Sequence, residues 1–240
     1  MKHRDRISRL LLGAGLSALL VLAGCASGPN ADPRDPLEPL NRSIYRFNES
    51  VDKAILKPVA STYADVAPGP VRTGVGNFFG NLRDAWSALN ALLQARPREA
   101  AENTMRFAVN STLGLAGVLD IASEMGLERT TLDFGLTLGR WGVPDGPYLM
   151  LPLLGPSNLR DTAAMPVDGQ GDALASVAHI PSRNELTALR VVDKRASLLR
   201  AGEMLQDAAL DPYSFVRDSY LQRRGSQIGR PQLEERYDLE

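Results

Sequence analysis

The chain offers few groups for covalent chemistry. It has one cysteine, Cys25, and two histidines, His3 and His179, among 240 residues. One cysteine cannot close an internal disulfide, so the core must hold without one. With a leader set aside, His179 alone remains. That leaves minimal choice for a Ser-His-Asp triad and excludes a multi-histidine metal site. A lone histidine is more often an ordinary residue of the fold. The Asp and Glu residues number 28, but carboxylates on amphipathic helices usually form the solvated face, so only an unmarked carboxylate pair is left as a catalytic option. Gly74, Gly76 and Gly80 look like a dinucleotide fingerprint, but the third glycine is one residue late and no strand precedes it. Asp133-Phe134-Gly135 matches a kinase trio in letters alone. The chain is read as a non-enzyme with no metal and no organic cofactor.

The cysteine has a different use. Lys2, Arg4, Arg6 and Arg9 precede an uncharged apolar stretch, residues 10–23, too short to span a bilayer as a stable helix. The stretch closes on Leu22-Ala23-Gly24-Cys25, which resembles the lipobox of bacterial lipoproteins. Cleavage between Gly24 and Cys25 leaves a lipidated cysteine at the new N-terminus, and several acyl chains hold a protein far more firmly than one. Ala26 follows, not the Asp that resembles an inner-membrane retention signal, which favours the outer membrane. Loss of residues 1–24 takes the basic residues from 27 to 23 and the acidic ones from 28 to 27, a net charge near −4. That balance gives no footprint for general nucleic-acid binding.

Two clusters stand out as a candidate lipid path. Gly135, Gly139, Gly142 and Gly146 are spaced four, three and four. On one helix they would form a stripe for close packing or leave an opening. Pro144 argues instead that the helix ends first and that residues 142–146 make a tight, hinged loop. Behind it, residues 146–156 crowd Tyr148, Leu149, Met150, Leu151, Leu153 and Leu154 between prolines. Such a run is either a buried extended segment or an apolar surface for acyl chains, with Leu149, Leu151 and Leu153 touching tails. Phe78, Phe79 and Trp86 carry the same two readings, core aromatics or lipid contacts.

The elements that must position these residues read as helices. Residues 26–34 are small, polar and proline-containing, a tether. Asp35-Pro36-Leu37-Glu38 has the order of a helix start, with Asp35 as N-cap. Leu37, Leu40, Ile44, Phe47, Val51 and Ile55 then recur at three- and four-residue steps up to an interruption at Pro58. A turn at Pro68-Gly69-Pro70 precedes a helix carrying Val75, Phe79, Trp86 and Leu93. Further helices are predicted over residues 98–113, 115–125 and 132–140. A capping box at Ser182–Glu185 opens another, and Asp211-Pro212 starts the last. No sustained alternation predicts a strand. The fold class is all-α: one domain of many short amphipathic helices over residues 35–223, with a polar, loose tail over 224–240.

Together these motifs resemble the MlaA (VacJ) family of lipoproteins. Asp35-Pro36-Leu37-Glu38-Pro39-Leu40-Asn41-Arg42 looks like the family's opening signature, and Val71-Arg72-Thr73-Gly74 with Asn77-Phe78-Phe79-Gly80-Asn81-Leu82 its second. Asn110-Ser111-Thr112-Leu113-Gly114, Trp141-Gly142-Val143, Gly146-Pro147-Tyr148 and Asp211-Pro212-Tyr213 follow in the same order. Trp86 stands near a frequent proline of the family, and Pro144-Asp145 replaces a more glycine-rich stretch. The resemblance implies a ring- or doughnut-shaped helical protein in the inner leaflet of the outer membrane, with an amphipathic channel. It implies removal of phospholipid misplaced in the outer leaflet, delivery to a soluble periplasmic carrier, association with a trimeric porin, and no covalent chemistry. The rival readings are an envelope lipoprotein that only tethers, and a periplasmic hydrolase.

Overall fold

The computed structural model describes residues 32–229. The expected leader, Gly24, Cys25 and most of the tether lie outside these residues. What is described is helical, as expected, apart from one hairpin. In order it comprises α1 (Glu38–Val51), a π-helical segment (Asp52–Leu56), α2 (Lys57–Val66), α3 (Gly69–Leu93), α4 (Pro97–Thr112), α5 (Ile121–Glu124), α6 (Phe134–Arg140), β1 (Tyr148–Leu151), β2 (Gly155–Asn158), α7 (Leu159–Gly171), a 3₁₀ turn (Ala173–Ser176), α8 (Ile180–Ser197), α9 (Leu199–Ala208) and α10 (Pro212–Ile228).

Pro58 does not interrupt the first helix. It has no N–H, and its ring would crowd the carbonyl four residues back. The turn before it widens instead, so that the Lys57 N–H bonds the carbonyl of Asp52, five residues back. The Asp35 cap is also corrected. The residue flanking α1 is Leu37, with no side-chain cap. Asp35 is buried and accepts from Asn41 Nδ2 at 2.8 Å and from the Tyr213 hydroxyl. At α8 the cap is His179, whose Nδ1 accepts from the Ser182 N–H, so the helix starts before the predicted capping box. Asp211 does cap α10, accepting from the Ser214 N–H. That helix continues to Ile228, and Arg224 and Ile228 are buried. Residues 224–228 therefore belong to the folded domain and not to the polar tail. At the other end the Tyr148 N–H bonds the Arg34 carbonyl at 2.8 Å, so the domain is engaged just before residue 35.

The expected absence of strands is corrected as well. Residues 148–151 pair antiparallel with 155–158, Tyr148 opposite Asn158 and Leu151 opposite Gly155. The turn places Leu153 at φ 63° and Gly155 at φ 86°, a left-handed region that costs a leucine more than a glycine. The outer edge of β1 is covered by side chains of α1. Asn41 donates to the Tyr148 carbonyl at 3.0 Å and accepts from the Met150 N–H at 2.9 Å. One heptad on, Asn48 donates to the Leu151 carbonyl at 2.9 Å and accepts from the Leu153 N–H at 2.8 Å. Two asparagines thus do what a third strand would do for an exposed edge.

The buried interior is unusually polar. Beside small apolar clusters such as Ala91, Ala100, Leu132, Leu136 and Ile228, it holds Asn81, Asn90, Asn103, Asn110, Arg106, Arg160 and Arg224. Arg106 is 1% exposed and forks onto both oxygens of Asp120 at 2.7 and 2.8 Å. Hydrogen bonds from Ser123, Asn110 and Arg106 outweigh burial and hold Asp120 at about 2. Arg224 bonds Asp133 at 2.6 and 2.9 Å and approaches Asp161 at 2.7 Å, and Arg160 joins Asp161 and Asp145. Gly135 and Gly139 on α6 make room for this cluster. A Cβ on Gly135 would lie 2.6 Å from Asp161 Oδ1, and one on Gly139 would lie 2.7 Å from Arg160 Nη1.

Candidate functional site

A cavity of about 1450 Å³ opens between α3, α8, the 129–133 segment, the end of α7 and the end of α10. The α3 wall is a stripe at helical spacing: Gly69, Thr73, Gly76, Gly80 and Arg83, with Arg72 and Asn77 beside it. The glycines keep that wall low. A Cβ on Gly69 would meet nothing within 4 Å, and one on Gly76 would reach only Asp193 Oδ2, at 3.6 Å. The α8 wall presents Arg190, Asp193, Lys194 and Ser197. No residue of α8 is buried, so the helix packs as a wall and not as a core element.

Polar bonds fix the walls. The Tyr63 hydroxyl of α2 donates to Asp193 Oδ1 at 3.0 Å, and burial together with Asp193 pushes that phenol up to about 12. Arg195 forks onto Asp52 of the π segment at 2.6 and 2.7 Å. Arg190 pairs with Asp172 at 2.7 Å, and although burial opposes it, that arginine holds the carboxyl below the usual range. The Trp86 indole N–H and the Phe134 N–H both donate to Asp168 Oδ1 at 2.8 Å. Trp86 crosses to α7 closely: a Cβ on Gly171 would come within 2.2 Å of its ring. Burial pushes the Asp168 carboxyl up. Helix α3 runs unbroken through Trp86.

Around the cavity stand eight cations, Arg72, Arg83, Arg129, Arg190, Lys194, Arg195, Arg223 and Arg224, against four carboxylates, Asp133, Asp168, Asp172 and Asp193. Four of the cations pair with carboxylates: Arg129 with Asp84, Arg190 with Asp172, Arg195 with Asp52 and Arg224 with Asp133. The arrangement makes a positively biased chamber with no nucleophile and base in contact among the described residues. Among the described residues no group of three or more His, Cys, Asp or Glu is placed to hold a metal ion.

Of the residues singled out from sequence, Phe79 and Trp86 border this cavity, with Phe78 edge-on against Phe79 at 5.2 Å between ring centres. Gly142, Gly146, Tyr148, Leu149, Leu151 and Leu153 do not border it. Tyr148 is fully buried in a tyrosine cluster, 6.3 Å from Tyr213 and 6.2 Å from Tyr220 between ring centres, so it faces neither cavity nor exterior. Leu149 and Leu151 are half-buried, while Leu153 and Leu154 at the hairpin tip are 66% and 71% exposed. Gly142, at φ 95° with open space around it, and Gly146, at φ 67°, lie in the loop between α6 and β1. The α3 stripe and the polar face of α8 were the residues missed. Their signal was small and polar positions recurring every three or four residues on α3, the same four-three-four spacing that drew attention to residues 135–146.

The outer surface contrasts with the cavity. Leu40, Phe47, Ile55, Val66, Leu92 and Phe215 project from helices and are each at least 46% exposed. No described helix is long and apolar enough to cross a membrane.

Comparison with known proteins adds relatives to this geometry. The family model described as MlaA lipoprotein matches residues 33–227. The intermembrane phospholipid transport system lipoprotein MlaA of Escherichia coli (strain K12) is 39% identical over 224 residues, covering 91% of this chain and 86% of the relative. Its namesake in Haemophilus influenzae is 31% identical over 232 residues, covering 90% and 88%. A solved structure, from work on the structural basis for maintenance of bacterial outer membrane lipid asymmetry, superimposes with a TM-score of 0.71 at 36% identity, covering 81% of this chain and 98% of the other.

Proposed function

The chain belongs to the MlaA lipoprotein family, and from that premise we propose that it serves phospholipid transport between membranes, taking misplaced phospholipid out of the outer leaflet of the outer membrane and passing it to a soluble periplasmic carrier. It acts as a transport protein and not as an enzyme. Anchored through Cys25, it lies as a helical ring in the periplasmic leaflet, beside a trimeric porin.

The observation that carries this reading is the inverted distribution of polarity. Large apolar side chains stand outside on short helices, while charged groups line a chamber within. Large apolar side chains exposed in this number suit an apolar surrounding, and helices with one apolar face settle into a single leaflet. A lipid changing leaflet must carry its headgroup past hydrocarbon, which is costly without a polar route. The chamber between α3 and α8 is that route, and the acyl tails stay in the apolar surroundings. The Gly142 to Gly146 loop and the leucines at the hairpin tip, Leu153 and Leu154, meet the tails.

A strain lacking the gene is expected to accumulate phospholipid at the cell surface and to become sensitive to detergent. The wild-type gene restores both, and Cys25→Ala does not. An outer leaflet unchanged in that strain would leave a tethering lipoprotein instead.

A further inference from the structure

We propose that the chamber selects its cargo by headgroup charge, favouring anionic phospholipids that lack an amine over zwitterionic ones. The proposal rests on the transport reading above. Once the four ion pairs are set aside, Arg72, Arg83, Lys194 and Arg223 remain as bordering cations that form no ion pair among the described residues. Against them stand two carboxylates, Asp168 and Asp193, so the uncompensated lining charge is +2, in a chain whose net charge is −1. Arg72 goes further: its Nε is buried and has no hydrogen-bond partner, so turning the guanidinium toward a phosphodiester oxygen breaks no bond at that atom.

An ammonium group finds less. Asp168 already accepts two N–H bonds on one oxygen, from Trp86 and Phe134. Asp193 accepts the Tyr63 hydroxyl and sits next to Lys194 in sequence. A phosphatidylethanolamine headgroup therefore brings a cation among uncompensated cations. A phosphatidylglycerol headgroup brings the phosphodiester and a neutral diol. In a chamber screened only in part by water, a like charge at close range is disfavoured and an opposite one favoured.

The test uses the full lipidated protein, purified in mild detergent and equilibrated with mixed micelles holding equal phosphatidylglycerol and phosphatidylethanolamine. Bound lipid is quantified by mass spectrometry. Phosphatidylglycerol is expected to be enriched on the order of threefold or more, the enrichment falling as salt rises. Arg72→Gln with Lys194→Gln brings the ratio back toward one, while the charge-conserving pair Arg72→Lys with Lys194→Arg keeps it; circular dichroism verifies that both are folded. At matched ionic strength, set with sodium chloride, enrichment that survives inorganic phosphate supports headgroup selection, and enrichment erased by phosphate but not by the chloride control marks a free-anion site and overturns it. Lipid bound without enrichment overturns the charge selection and leaves the transport reading standing. Protein that binds neither lipid overturns both.

Discussion

Arg106 and Asp120 illustrate how single residues hold this interior together. A buried arginine whose carboxylate partner is removed keeps its desolvation cost and loses its compensation. Asp120→Asn is therefore expected to destabilise the fold by about 2 kcal/mol or more near neutral pH. The effect depends on pH with a definite sign. The folded carboxyl titrates at about 2 against an ordinary 3.8, so its ionised form is the favoured one in the fold. Its contribution is complete above about pH 4 and drains away as pH falls toward 2. The gap in urea midpoint between wild type and Asp120→Asn should accordingly narrow between pH 5 and pH 2, and a gap constant over that range would contradict the assignment. The sequence marks Arg106, Arg160 and Asp161 as charged, but not as buried. Local pattern reports which residues are polar, and tertiary packing decides which polar residues are enclosed.

Among the elements, α3 and the hairpin define two separable roles. Gly76 faces the cavity with ordinary clearance, and glycine inside a helix costs about 1 kcal/mol relative to alanine. Gly76→Leu is expected to leave the thermal midpoint unchanged or raised while reducing clearance of surface phospholipid, since the side chain projects into the route. Stability and transport measured on the same variant distinguish a lining residue from a structural one. The hairpin depends on α1. Asn41→Ala strips partners from the Tyr148 carbonyl, the Met150 N–H and Asp35 together. It should cost about 2 to 4 kcal/mol by denaturant titration, with faster hydrogen exchange at Met150. Most helices were legible from apolar spacing, caps and prolines, as Asp211 and the Pro68-Gly69-Pro70 turn before α3 show. The hairpin was not, because its strands are four residues long and its partner edge is an asparagine pair on a helix. Nor was α7 legible, since it carries Pro166 inside it and lacks a clear apolar stripe.

At the scale of the whole molecule, an apolar exterior and a charged chamber ask for a particular setting, which the N-terminal anchor is proposed to supply. Cys25→Ala is expected to move the protein from the membrane fraction to the soluble periplasmic one if acyl chains supply most of the attachment. Retention in the membrane would assign that attachment to the exposed helices. The sequence could not locate the chamber because its walls meet only in three dimensions: α2 and α3 lie far before α8 in the chain, Tyr63 and Asp193 being 130 residues apart, and a few polar bonds join them. The widened turn ahead of Pro58 acts at this scale as well. One surplus residue in a helix rotates everything beyond it by about 100°, so Tyr63 meets Asp193 only because residues 52–56 are overfilled. Deleting a single residue there would press the Pro58 ring against the carbonyl four residues back and swing α2 round its own axis, leaving Asp193 without its phenol. This segment thus tolerates changes of side chain better than changes of length, and the chamber's geometry is written partly as a residue count.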